Sequence, residues 1–254
     1  MSYIDLYSTL QEWPYDPDQI SVRKILGTDG KVRIQMRVEL GVIQMEESGR
    51  PDGDRPHGCD SLLEYHKKRL QAHEDRNGTP LGFVLTPQQC QDMRNEASLF
   101  YRRFVARFVL EEFAEVTADT AHNLSIFDFC REYAHEPDDR TCLESFRPYV
   151  LMMDARSRAY QALHDHQPAS ALAHVNRGIL HIKQSMDQRG EGEAVTRCEE
   201  IKMLRAMTGE ISSKIPEDSL ILTRRALRTA IENEHFEEAA RLRDALRNLN
   251  DEAA

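Results

Sequence analysis

Hydrophobic and polar positions alternate strictly through "KVRIQMRVEL". Val32, Ile34, Met36, Val38 and Leu40 fall on one side, and Lys31, Arg33, Gln35 and Arg37 on the other. A period of two is the pattern of a half-buried strand. "ISVRKIL" before it is rich in β-branched residues, and Gly27 to Gly30 supplies a turn between the two. "GVIQME" follows as a third strand. The pattern over 20–46 predicts a small antiparallel meander with one face on a core and one face in water.

The alternation ends at "SGRPDGDRPHGCDS", Ser48 to Ser61, where three glycines and two prolines in fourteen residues forbid regular structure. A helix is expected after it, with Asp60 or Ser61 as N-cap and Glu64 in capping-box position. "NGTP" at 77–80 marks a boundary. From Thr86 the apolar positions recur at helical spacing, with Thr86 as cap and Pro87 at the first helical position. Helices are predicted at about 87–110, 112–134, 142–166, 168–189 and 192–214, separated by "HEPDD", "HDHQPAS" and "QRGEGE". Breaks this short make neighbouring helices antiparallel hairpins. Within 155–179, small residues at Ala159, Ala171 and Gly178 and the apolar Val175 weakly resemble tetratricopeptide repeats. Ala155, Arg158 and Ala162 depart from that pattern, and a plain helical bundle is the competing reading.

Pro216 stops the last of these helices. Beyond it, Leu220, Leu227, Ala230 and Ile231 form one apolar stripe and Phe236, Ala239, Leu242, Leu246 and Leu249 another, on two helices around "ENEH". Ala239 and Ala240 keep the second surface low, so another helix can approach closely. Glu237 and Glu238 in its first turn and Arg247 in its last suit the helix dipole. Two helices of about fifteen residues are too small to bury both stripes by themselves. The hairpin must dock on the helical part, on a second copy or on another protein, with Leu227, Ile231, Phe236, Ala239, Ala240, Leu242, Arg243, Leu246 and Leu249 as its contact residues.

Phe236-Glu237, Ala239-Ala240, Leu242-Arg243-Asp244 and Leu246 closely resemble the UVR motif, over about 35 residues of the chain. That motif is found in the excision-repair proteins UvrB and UvrC, in the activator of the bacterial protein-arginine kinase and in some Clp ATPases. The resemblance implies a coiled-coil-like hairpin that associates with other proteins, often with another UVR hairpin. The rest of the chain lacks the phosphate-binding loop of the repair helicase and the Clp ATPases and the paired C-x-x-C sites of the kinase activator. The resemblance therefore implies a way of binding and not a reaction. As a whole, the chain resembles uncharacterised bacterial proteins that carry the motif.

The fold class that follows is α+β, mainly α. Its expected domains are an α+β domain with the Gly/Pro loop at 1–78, helical hairpins at 84–215 and the terminal hairpin at 216–254. The net charge of −10 repels nucleic acid overall, so binding there would need a local basic face. Residues 20–37 offer one, with Arg23, Lys24, Lys31, Arg33 and Arg37 against Asp29, but without aromatics interleaved on the same side for base stacking. The bland reading of this face is a solvated surface. The loop carries Arg50, Arg55 and His57, which together with Arg33 and Arg37 form a candidate anion-binding set. Its bland reading is a structural loop in which Asp52 and Asp54 hold the arginines.

His57, Cys59, His66 and His73 invite a zinc reading but lack a convergent fourth ligand, and His164, His166 and His174 read as solvated turn residues. No metal, cofactor or catalytic residue is expected. The five cysteines are odd in number and unpaired in spacing, which fits free thiols in the cytoplasm. No membrane span or secretory signal is expected. The functional expectation is a non-enzymatic adaptor that binds a protein partner through 216–254 and forms a weak homodimer. An accessory role in excision repair or on nucleic acid, and an enzyme or ligand sensor built on the 49–58 loop, are the alternatives.

Overall fold

The structure is a computed structural model and describes residues 6–212, 227–231 and 235–243. The chain is α+β, mainly α, and divides into two compact units, Met1–Thr208 and Gly209–Ala254. Among the described residues, no helix is long and apolar enough to cross a membrane.

The first unit begins with a short helix, α1 (Tyr7–Gln11), and then an antiparallel sheet in the order β1 (Val22–Leu26), β2 (Val32–Val38), β3 (Gly41–Glu46). Ile34 sits between Lys24 and Met45, and Met36 between Val22 and Ile43. Ile34 and Met45 are buried with Ala106, and Val22, Met36 and Ile43 pack around them. The alternation stops at Val38. Leu40 lies in the tight turn between β2 and β3 and is 88 % exposed, so it does not join the core side as the period had implied.

The expected wet face is also a correction. Gln35 and Arg37, on the polar side, are buried. The segment before β1 covers them: the Arg37 Nε donates to the Trp13 carbonyl at 2.8 Å, and the Arg23 guanidinium lies 4.2 Å from the centre of the Trp13 ring. Under this cover the polar side chains pair across the strands, Arg23 to Gln35 at 2.9 Å and Gln35 to Gln44 at 3.0 Å. A cationic side chain can hold an aromatic ring over a polar strand face, which strand periodicity alone does not register.

The helices are α2 (Leu62–Asn77), α3 (Pro87–Val109), α4 (Phe113–Tyr133), α5 (Pro137–Thr141), α6 (Arg147–His164), α7 (Pro168–Gln188) and α8 (Glu199–Ser212). Their starts follow local chemistry. The Ser61 Oγ accepts the Glu64 N–H at 3.0 Å, and Thr86 and Gln89 form a reciprocal capping box. The helix expected from 142 begins only at Arg147, because Pro148 has no N–H to donate and belongs in a first turn. Residues 137–146 make a short helix and a 3₁₀ turn instead, and 192–197 another 3₁₀ turn ahead of α8.

The helices α3 and α4, α4 and α6, and α6 and α7 pack as neighbours around a core that includes Phe104, Met93, Ile126, Met152 and Ile182. The α6–α7 contact is close because both surfaces are small. Gly178 faces Ala155 so tightly that a methyl group on the glycine would collide with the Ala155 side chain. Ala159, Ala171 and Val175 are completely buried in the same region.

Candidate functional site

The 49–58 loop is fixed from beneath by α3. Glu96, Arg103 and Arg107 lie at helical spacing on one side of that helix, and all three are buried. Arg103 makes a two-pronged pair with Asp119 of α4, at 3.0 and 2.7 Å, and donates to the carbonyls of Glu46 at 3.1 Å and Gly49 at 2.7 Å. Arg107 bonds the same Asp119 at 2.7 Å and also donates to the Glu47 carbonyl. Gly49 turns the chain with φ at 69°, a left-handed value that favours glycine.

The Glu96 carboxylate sits at the N-terminus of α2 and accepts the N–H groups of Leu62 at 2.7 Å and Leu63 at 3.1 Å. The His122 Nε2 lies 3.2 Å from it, with the His122 ring stacked on Phe100. Burial alone would raise its pKa, but His122 and the two backbone donors together hold it below the usual glutamate range. A helix N-terminus is a natural anion site, and here the protein fills it with its own carboxylate.

The five residues of the candidate anion set are all engaged. Arg50 is largely buried, 3.1 Å from Asp52, 3.8 Å from Asp54 and 3.7 Å from Glu96. Arg55 pairs with Asp60 at the surface at 2.7 Å. The His57 ring stacks on Tyr65 with centres 3.9 Å apart. Arg33 bonds Asp29 at 2.6 and 2.7 Å and Glu46 at 2.8 Å. Arg37 points its guanidinium at the carbonyls of Trp13, Val38 and Gly41. No two of the five share a partner among these contacts.

Among the described residues no three His, Cys, Asp or Glu side chains are placed to share a metal ion. His66 is buried and its pKa is pushed down to about 4, first by burial and then by the charge of Arg69. Cys59, Cys90, Cys130, Cys142 and Cys198 are all free thiols.

In the second unit, residues 227–231 and 236–243 are helical, and the His235 N–H donates to the Ala230 carbonyl at 2.8 Å. Ala230 is buried. Leu227, Ala239 and Leu242 are half-buried, while Ala240 and Arg243 are exposed. Ile231 is 55 % exposed and Phe236 70 % exposed. Leu246 and Leu249 lie outside the described residues, as do Leu220 and Arg247. Two large apolar side chains are thus open to solvent within a few residues of each other, the kind of surface that marks an interaction site when it is contiguous.

Residues 217–252 match the family model of the UvrB/uvrC motif. No curated protein and no solved structure matches the chain. The UVR segment takes in all nine expected contact residues, from Leu227 to Leu249, and the exposed Ile231 and Phe236 belong to it. The motif speaks for the second unit and the geometry above for the first. Sequence reasoning missed Glu96, Arg103, Arg107 and Asp119. The available signal was the spacing of seven and then four between the three charges on α3, which sets them on the face that also carries Phe100 and Phe104.

Proposed function

We propose that this chain is a non-enzymatic, cytoplasmic adaptor that binds a protein partner through its UVR segment. The observation that carries the reading is the match of 217–252 to a motif of interaction hairpins, together with the exposure of Ile231 and Phe236 inside it. Charge supports a protein partner over nucleic acid. The chain is acidic overall, and Arg33 and Arg37 on the sheet are occupied by internal acceptors. The motif's name-giving proteins act in excision repair, so a repair protein with its own UVR hairpin is the first partner to test.

The experiment is affinity purification of the full chain, of Phe236→Glu and of a chain ending at 215, each followed by a melting curve. The adaptor reading expects partners on the full chain, none on the other two, and little change in melting for Phe236→Glu. Partners retained by the shortened chain, with a lowered melting temperature, would make the segment an internal cap instead.

A further inference from the structure

A cleft of about 640 Å³ lies between α3, α4 and α6, with the 142–146 turn and Glu200 completing its wall. Its size is that of a small-molecule site. Four aromatic side chains line it, Tyr101, Phe127, Phe146 and Tyr149. Two of them remain open to solvent, Tyr101 at 44 % and Phe146 at 59 % exposure, so the cleft has a wide aromatic mouth.

Asn123 lines the cleft and is only 2 % exposed. Its Nδ2 donates to the Ala97 carbonyl at 3.1 Å, whereas its Oδ1 is buried with no hydrogen-bond partner among the described residues. Buried acceptors are nearly always paired, and an unpaired one is costly. The one cation in the lining, Arg94, is already paired. Arg94 gives Nη1 to Asp139 at 2.6 Å and Nη2 to Gln91 at 2.8 Å, so its charge is answered within the protein. Glu200 adds a half-buried carboxylate, which accepts the Cys198 thiol at 3.1 Å on one oxygen. The cleft therefore offers rings, an amide oxygen and a carboxylate, beside an arginine whose charge Asp139 answers.

We propose that this cleft binds a small aromatic amine. The ring lies among the four aromatic side chains, an N–H satisfies the Asn123 Oδ1, and the ammonium is held by Glu200 and by the faces of the tyrosines. The negative charge of the whole chain favours a cation at such a mouth. The proposal is independent of the adaptor reading, since every residue of the cleft lies in the first unit.

Calorimetric titration of the full chain with tryptamine and with indole-3-acetate tests it, because the two probes share a ring and carry opposite charges. Tryptamine is expected to bind saturably at one site, about tenfold or more tighter than indole-3-acetate. Glu200→Gln should erase that preference. Ser98 lines the cleft from an exposed position, so Ser98→Trp should block the cleft without disturbing the core and abolish binding. Asn123→Leu should weaken tryptamine about tenfold. That variant also loses the bond to Ala97, and if it fails to fold, the Glu200 and Ser98 variants decide. No saturable tryptamine binding, equal binding of both probes, or binding unchanged in Ser98→Trp would each overturn the proposal.

Discussion

Glu96 is completely buried and still held as a carboxylate, because its two oxygens meet the first N–H groups of α2 and the His122 ring. One residue thus ties α2, α3 and α4 together. Glu96→Gln leaves one of these donors facing an amide N–H and should cost about 2–4 kcal/mol in urea unfolding at pH 7. The pH dependence has a fixed sign. The folded pKa of Glu96 is lowered, so its contribution is present above the unfolded value and is lost as pH falls through the folded one. The His66 pKa is also lowered, to about 4, by burial and then by Arg69. Between its ordinary value of 6.5 and about 4 the unfolded chain binds the extra proton, so stability falls with pH across that window as well. Unfolding midpoints should therefore decline as pH falls from 7, first between 6.5 and about 4 through His66 and then below the ordinary glutamate value of 4.5 through Glu96, the first step absent in His66→Gln and the second in Glu96→Gln. Neither residue was singled out for such a role by the sequence. A glutamate or a histidine on a helix reads as surface until the elements around it are placed.

At the scale of elements, the contact between α6 and α7 rests on a glycine in the middle of a helix. Gly178 gives up about 1 kcal/mol of helix propensity relative to alanine, and in return α7 lies directly against Ala155, with the Leu204 Cδ1 only 3.3 Å from where a methyl group would be. Gly178→Ala should destabilise by about 1–3 kcal/mol through overpacking despite the better propensity. Ala155→Gly in the same chain should recover much of the loss, and a double-mutant cycle by chemical denaturation measures the coupling. Element positions were largely legible, because they depend on local chemistry: Ser61 and Thr86 at helix starts, Pro87 at a first turn, period two through β2. The late start of α6 was equally available from Pro148. The cover over the sheet was not, since Trp13 and Tyr15 lie in a segment without periodicity and reach Arg23 and Arg37 only through the tertiary fold.

For the whole molecule, the UVR segment was legible because a hairpin too small to bury its own stripes shows both of them in its sequence, and a family model matches the same stretch. The cleft was not legible, because its rings and acceptors come from four helices and a turn that are far apart in sequence. Pairing of two UVR segments around a two-fold axis would hide both copies of Phe236 at once. Light scattering at rising concentration should show a weak homodimer, lost in Leu242→Glu. A monomer at every concentration, unaffected by that change, would rule the dimer out. The seam under the Gly/Pro loop has a different reach. Arg103 and Arg107 hold the carbonyl oxygens of Glu46, Glu47 and Gly49, and a carbonyl is the same group on every residue. The arginines therefore read the path of the main chain and are indifferent to the side chains along it. This docking sets no side chain at 46–48, although Glu46 and Glu47 answer to Arg33 and Lys24 on the sheet, and it asks only that the turn at Gly49 be kept. The spacing cannot drift, because one residue inserted or removed there would put these oxygens out of register with the two guanidinium groups.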